Sequence, residues 1–329
     1  MKVLVTGGAG YIGSHAVRAL VAGGHEVKVL DNLSNGHREA IVDESVELVV
    51  GDMADEALVE DLFARFQPEA VMHFAAFIEV GESVKEPLKY YRNNVAAPLV
   101  VLEAMRRHGC TRFIFSSTCA TYGVPDVVPI PETEKQAPIN PYGWSKYMLE
   151  QILADCEVGW GLKSVFLRYF NASGAALDGM IGEAHDPETH LIPRIMMAIR
   201  GEIDRLQVFG TDYDTPDGTC IRDYIHVEDL AAAHLDALRY LVEHDRSDCF
   251  NLGTGSGISV KEILDATERV TGEPAPVDFG PRREGDSPRL ISNTTKSTEV
   301  LGWTPTRSDV ESIIRTAWAW CGKRWKAAS

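Results

Sequence analysis

Tyr142 and Lys146 stand four positions apart in the segment Pro141-Tyr142-Gly143-Trp144-Ser145-Lys146, behind a proline suited to the first turn of a helix. Residues at i and i+4 share one helical face, which predicts the phenol and the ammonium side by side. A phenol removes the proton of an alcohol effectively only as its anion. Since it titrates near ~10, work at neutral pH requires the anion to be favoured by about 3 units, roughly 4 kcal/mol. An adjacent ammonium supplies part of that, although the spacing alone equally fits an exposed Tyr–Lys pair with no chemistry. A third group comes from Phe113-Ile114-Phe115-Ser116-Ser117-Thr118, an apolar run that ends in hydroxyls. Thr118 is placed to bind a substrate hydroxyl and relay its proton to Tyr142, so Tyr142, Lys146 and Thr118 together suit the oxidation of an alcohol if an electron-pair acceptor lies beside them.

A site for such an acceptor is written near the start of the chain. After the apolar run Val3-Leu4-Val5 comes Gly7-Gly8-Ala9-Gly10-Tyr11-Ile12-Gly13, leading into a helical stretch over Ile12–Val21. Gly7, Gly10 and Gly13 permit a tight turn and let backbone N–H groups approach a pyrophosphate at a helix N-terminus. A glycine-rich turn alone is weak evidence, and three further features strengthen it. Asp31 closes the second apolar run, where a carboxylate accepts hydrogen bonds from a ribose and repels a 2′-phosphate, selecting NAD over NADP. Asp52 follows the third, in a position suited to the adenine amine. Phe74-Ala75-Ala76 ends the fourth with small residues that let backbone pass close to the cofactor.

The elements that must hold these residues are short β-branched runs alternating with helical patterns. Strands are predicted at Lys2–Thr6, Glu26–Asp31, Val46–Val50, Ala70–Phe74, Arg112–Ser116 and Lys163–Arg168. Their continuous apolar character implies a doubly wound parallel α/β sheet of the Rossmann type, covered on both faces, whose strand C-termini carry the chemistry. From about residue 172 the rhythm loosens into Gly/Pro/Asp-rich loops, with helical patterns at Ile192–Arg200, Glu228–Tyr240, Val260–Val270 and Asp309–Trp320. The division expected is therefore an NAD-binding domain over residues 1–171 and a smaller α/β substrate-binding lobe over 172–329, with some chain interchange.

With 45% hydrophobic and 24% charged residues, the 329-residue chain is globular in composition and not fibrous or disordered. Its 32 Lys+Arg against 48 Asp+Glu give a formal charge of −16, which repels nucleic acid and anionic membranes. An anionic substrate then needs isolated local arginines. Six cysteines without a CxxC pair argue against zinc ribbons and a disulfide framework, and no metal is expected. The opening residues are too short a run for a signal peptide and no apolar stretch reaches the ~18 residues of a membrane span, so a cytoplasmic location is expected.

Beyond these features, a set of motifs covers nearly the whole chain: TGGAGYIGSH at Thr6–His15, DNLSNG at Asp31–Gly36, VGESV at Val80–Val84, YYRNNV at Tyr90–Val95, SSTCATYG at Ser116–Gly123, NPYGWSK at Asn140–Lys146, LRYFNASGA at Leu167–Ala175, DGTCIRDYIHV at Asp217–Val227 and RREGD at Arg282–Asp286. The sequence thereby resembles the extended short-chain dehydrogenases/reductases and, within them, the UDP-glucose (UDP-galactose) 4-epimerases.

That resemblance implies an epimerisation without net redox: Tyr142 takes the proton of the sugar 4-hydroxyl, carbon 4 loses hydride to tightly held NAD, the 4-keto sugar rotates, and hydride returns to the other face. It implies that Thr118 stands where the family has Ser or Thr and that Lys146 also holds the nicotinamide ribose. Further cofactor contacts are implied at Tyr11, Ile12, Asn32 and Met53, and at Asn93, Ser116 and Tyr169. On the substrate side, Arg222 and Arg283 match the diphosphate-binding arginines, Asn171 a phosphate-contacting amide, Asp286 a ribose-binding carboxylate and Phe209 the ring beside uracil. Phe170, Leu191, Gln207 and Val208 match further contacts. Without the surrounding motif, Arg222-Asp223 reads as a surface ion pair. Relatives commonly pair through helices corresponding to Leu88–His108 and Pro141–Gly159, which implies a homodimer.

The chain departs from the family pattern at three places. Ile78 stands where the family often has a cofactor-contacting Lys. His190 stands where many members have Asn near the nucleotide; by itself it reads equally as a packed loop residue. Leu290 occupies a position that is Tyr in narrow-pocket members and smaller where N-acetylated sugars are accepted, which implies partial tolerance of UDP-N-acetylglucosamine. The physiological sugar, whether hexose, pentose or N-acetylated form, stays open. A nucleotide-sugar 4,6-dehydratase on the same scaffold is the alternative reading. Such enzymes place Asp-Glu after the strand-five Thr, and here the pair is Cys119-Ala120.

Overall fold

The structure, a computed structural model, describes residues 1–282 and 287–323; Arg283 and Asp286 therefore lie outside the described residues. Seven strands form the main sheet: β1 (Lys2–Thr6), β2 (Glu26–Asp31), β3 (Glu47–Val50), β4 (Ala70–His73), β5 (Arg112–Thr118), β6 (Lys163–Tyr169) and β7 (Asp248–Leu252). They lie in the order β7-β6-β5-β4-β1-β2-β3, and every neighbouring pair is parallel. The order reverses at β1, flanked by β4 and β2, which is where a doubly wound sheet opens a crevice for a ligand beyond its strand C-termini.

Alternate side chains of the strands go to opposite faces, and both faces are dry. Val3 and Val5 point to one core, with Ala16, Leu20, Leu230 and Leu241 from α1 (Tyr11–Ala22) and α6 (Val227–His244). Leu4 points to the other, with Phe63, Met105 and Leu149 from α2 (Glu56–Phe66), α3 (Ala97–His108) and α4 (Pro141–Trp160). Burial on both faces explains why the strands read as unbroken apolar runs rather than alternating ones.

Five of the six strands predicted from sequence match to within one residue at each end. The other, β5, runs two residues further, so Thr118 is its last residue rather than part of a following loop. The seventh strand, β7, was not anticipated. It comes from the second half of the chain, follows α6 directly and aligns Leu252 with Tyr169 of β6. Its Phe250 and Leu252 are fully buried on the edge of the large sheet.

The remainder of the second half forms small sheets, chiefly Leu206–Phe209 with Val277–Gly280 and Ile221–Arg222 between Ile258–Ser259 and Arg289–Leu290. With α5 (Leu191–Ile199) and the helices Val260–Thr271 and Val310–Cys321 they enclose a separate core around Ile192, Ile195, Val208, Ile263, Ile313 and Ile314. Among the described residues no helix is long and apolar enough to cross a membrane.

Candidate active site

The strand C-termini of the main sheet open into one cleft of about 370 Å³, lined from the glycine turn after β1 to the first residues of α4. The position of α4 is set locally. The Asn140 side chain accepts from the Gly143 N–H at 2.8 Å and Pro141 occupies the first turn, so the helix begins one residue before Tyr142. Lys146 follows one turn later, and both side chains face the cleft with Thr118 at the end of β5. The Thr118 hydroxyl stands beside the Tyr142 phenol on the cleft wall and accepts from the Ala120 N–H at 3.1 Å.

The charge state of this trio departs from the simple expectation. Burial, reinforced by Tyr169, pushes the Tyr142 phenol well above the usual tyrosine range, while the Thr118 hydroxyl pulls the other way. Burial draws Lys146 down to about 7, against the pull of Glu150 one turn further on. The Lys146 Nζ donates to the Ser116 carbonyl oxygen at 2.8 Å and lies 5.0 Å from the centroid of the Phe115 ring. The protein's low-dielectric wall thus holds both groups toward neutrality, and a positive charge brought into the cleft is what would favour the phenolate.

The residues present fit NAD. Gly7 has φ +73°, and a Cβ there would stand 2.4 Å from the Ala75 nitrogen, so only glycine brings the turn against the segment after β4. Gly10, the residue before α1, faces the cleft, and a Cβ on it would meet nothing closer than the Gly7 carbonyl oxygen at 3.4 Å, so space is left for a phosphate. No side chain caps the first turn of α1 and no acidic residue stands in it, which leaves amide N–H groups and the helix dipole to an anion. Asp31 accepts from the Ala9 N–H at 2.9 Å and the Leu33 N–H at 2.8 Å; burial nonetheless raises its carboxyl above the usual range. Asp52 is held by the Asn32 amide at 3.1 Å. Tyr11, Ile12, Gly13, Met53, Phe74, Ala75 and Ala76 line the same cleft, as does Tyr169.

Asn93 reaches the cleft from a π-helical turn, Arg92–Ala96, that interrupts the helical run before α3. Its neighbour Asn94 donates to the Phe77 carbonyl at 2.9 Å and to the Ser145 hydroxyl at 3.0 Å, tying the segment after β4 to α4. Ser116 is placed differently from expectation: it does not line the cleft. Its hydroxyl pairs with His234 Nε2 at 2.9 Å, and its part in the site is the carbonyl that holds Lys146.

On the other wall, Phe170, Asn171, His190, Arg222 and Leu290 line the cleft. Arg222 and Asp223 are not a surface ion pair. Asp223 is fully buried and accepts from Thr254, Gly255 and Ser292, while the Arg222 guanidinium is steadied by the carbonyls of Ile221 and Ser287 at 2.9 Å. Leu191, Gln207, Val208 and Phe209 are not on the cleft wall: Val208 belongs to the core of the smaller lobe, and Gln207 donates to the Asp278 carbonyl. Sequence reading missed Phe77, Val80, Cys119, Glu183 and His185, which do line it. Glu183 and His185 share with His190 the spacing Glu-x-His-x-x-Glu-x-His, a signal visible in the sequence although neither a helix nor a strand period.

Comparisons with known proteins show the family. The NAD dependent epimerase/dehydratase family matches residues 3–253. The chain is 52% identical over 323 residues to a UDP-glucose 4-epimerase of Rhizobium meliloti (strain 1021), covering 98% of each chain. It is similar to the crystal structure of UDP-glucose 4-epimerase from Brucella ovis in complex with NAD (TM-score 0.94, 52% identity, covering 96% of this chain and 97% of that one). It is also similar to a UDP-glucose-4-epimerase from Stenotrophomonas maltophila with bound NAD and formylated UDP-arabinopyranose (TM-score 0.94, 40% identity, covering 98% of each).

Proposed function

The chain belongs to the NAD dependent epimerase/dehydratase family, and on that premise we propose that it interconverts UDP-glucose and UDP-galactose with Tyr142 as the base, Thr118 as the hydroxyl-binding relay and Lys146 as the charge behind them. The observation that carries this is the convergence of that trio with the Gly7–Gly13 turn and Arg222 in one cleft. NAD, when bound, supplies the acceptor that takes hydride from sugar carbon 4 and gives it back. The protein's own part is acid–base and positional. Thr118 holds the sugar 4-oxygen, the Tyr142 oxygen takes its proton in the oxidation and returns it in the reduction, and Lys146, fixed on the Ser116 carbonyl, keeps the proton relay in register. Arg222 and Asn171 hold the diphosphate, with Arg283, and Asp286 takes the ribose. The diphosphate end stays anchored while the 4-keto sugar turns.

The cleft also speaks for epimerisation over dehydration. Cys119 and Ala120, next to Thr118 on the wall, offer no carboxylate pair to remove water from a 4-keto sugar. The protein given UDP-galactose with no added NAD is expected to form UDP-glucose; a 4-keto-6-deoxy product would select the dehydratase.

Leu290 lines the cleft, packed with Tyr122, Ile130 and Phe170, and is smaller than a Tyr in that place. UDP-N-acetylglucosamine is thus partly tolerated, and Leu290→Tyr is expected to lower its turnover about tenfold relative to UDP-glucose, of the order one shape contact provides. Unchanged discrimination would remove Leu290 from that role. The protein acts as a homodimer, for which Leu88 and Leu99 on the helical run before and through α3, and Trp144 and Met148 one turn apart on α4, supply exposed apolar surface. A single-chain mass in solution would contradict this. The division at residues 171/172 separates cofactor and substrate halves, with 227–252 returning to the first, and cysteines that form no disulfide among the described residues suit the reducing cytoplasm.

A further inference from the structure

We propose that Glu183, His185, Glu188 and His190 form a four-ligand site for a divalent first-row cation of the zinc class, set in the wall of the cleft beside the glycine turn. Their four ligand atoms lie within 4.8 Å of one another. Around the cluster, His190 Nδ1 is 2.9 Å from Glu183 Oε1 and 2.9 Å from Glu188 Oε1, and His185 Nδ1 is 3.2 Å from Glu183 Oε1 and 3.6 Å from Glu188 Oε2. Four ligands at ~2.0–2.1 Å from a tetrahedral ion are separated by roughly 3.3 Å, and the three contacts made through Glu183 Oε1 and Glu188 Oε1, at 2.9, 2.9 and 3.2 Å, lie within a few tenths of that.

Hydrogen bonding within the cluster accounts for only part of this arrangement. His190 Nδ1 is hydrogen-bonded to Glu188 Oε1 at 2.9 Å and stands equally close to Glu183 Oε1, and a single N–H serves only one of the two. His185 Nδ1 and Glu188 Oε2 are buried with no hydrogen bond of proper geometry, and the Glu188 side chain is only 1% exposed. A buried carboxylate oxygen and an imidazole nitrogen turned toward each other without a bond are what a shared cation would satisfy. Charge also balances: two carboxylates and two neutral imidazoles neutralise one divalent ion. The donor set of two nitrogens and two oxygens, without thiolate, suits zinc or its first-row neighbours better than calcium or magnesium, which take oxygen alone.

The loop bearing the ligands is itself fixed. Trp320 Nε1 donates to the Glu183 carbonyl at 2.7 Å, His37 Nε2 to the Ala184 carbonyl at 2.7 Å and Arg194 to the Glu188 carbonyl at 3.2 Å. The Glu188 carboxylate also accepts from the Thr189 and His190 N–H groups, each at 2.9 Å. Four protein ligands close the coordination sphere, so the ion is structural: it pins the segment 183–190 to the start of α5 and, through the Thr189 hydroxyl on Glu79 at 2.6 Å, to the segment after β4.

The test is zinc binding by the NAD-loaded protein after treatment with a chelator and exchange into metal-free buffer. The expected result is one Zn²⁺ retained per chain through gel filtration, with a Tm raised by several degrees, and at least tenfold weaker binding in His185→Asn and in Glu183→Gln. Zinc absorption spectroscopy of the wild-type protein reads the ligands without any variant, and it is expected to show two imidazoles and oxygen with no sulfur. Failure of the wild type to retain zinc, undiminished binding in both variants, or sulfur among the ligands would each overturn the assignment.

Discussion

Tyr142→Phe is expected to lower epimerisation by roughly three orders of magnitude while the protein still carries its NAD. General acid–base groups contribute about 10²–10⁴ in rate, and here one oxygen serves both directions of proton transfer, so nothing else in the cleft replaces it. Thr118 stands beside that oxygen, but a neutral aliphatic hydroxyl is too weak a base to act alone. The phenyl ring keeps the shape of the tyrosine, and the residues proposed to hold the cofactor, the Gly7–Gly13 turn and Asp31, lie on other elements. Turnover and the NAD content of the purified variant check this together. A loss below tenfold would remove Tyr142 from the base role, and a loss of NAD would show that the effect is structural.

Lys146→Met is expected to lower turnover by about 10²-fold or more and to leave a signature in stability as well. Lys146 is buried, with its Nζ on the Ser116 carbonyl, and titrates at about 7 in the fold against about 10.5 for a free lysine. Between those two values the unfolded chain holds a proton that the folded chain has given up, so the lysine's contribution to stability rises with pH across that window. Below about 7 both states are protonated and the burial penalty is constant. Methionine has no such proton. Urea unfolding of cofactor-free wild type and variant at pH 7 and pH 9 is therefore expected to show the wild type gaining roughly 2 kcal/mol on the variant. An equal difference at both pH values would mean that Lys146 is not shifted by its surroundings.

The two results bear on how the pair works. Spacing in the sequence foretold that phenol and ammonium would share a helical face, but not that the same burial which excludes water would press both toward their neutral forms. In such surroundings a positive charge entering the cleft would favour the phenolate.

Much of the site was legible because each residue lies at a strand C-terminus or a helix start, and these are marked by short-range signals. Gly7, Gly10 and Gly13 follow an apolar run, Asp31 closes another, and Pro141 announces α4. What stayed hidden depended on long-range assembly. Strand β7 has an ordinary mixed sequence, Asp-Cys-Phe-Asn-Leu, and becomes a strand because α6 delivers it to the edge at β6. Ser116 reads like its hydroxyl neighbours, yet strand alternation and His234 turn it away from the cleft. Glu183 and His185 sit in a loop whose path no periodicity records, and Gln207, Val208 and Phe209 belong to a strand whose pairing partner lies 71 residues on.

The central claim is that the electrons removed from sugar carbon 4 stay on a captive acceptor and return to the same carbon. The most direct measurement is the incubation of the purified protein, without added NAD, with UDP-galactose carrying deuterium at carbon 4, followed by isotope analysis of the product. Formation of UDP-glucose with the deuterium still at carbon 4 is the predicted result. UDP-glucose that has exchanged that deuterium for solvent hydrogen would contradict it.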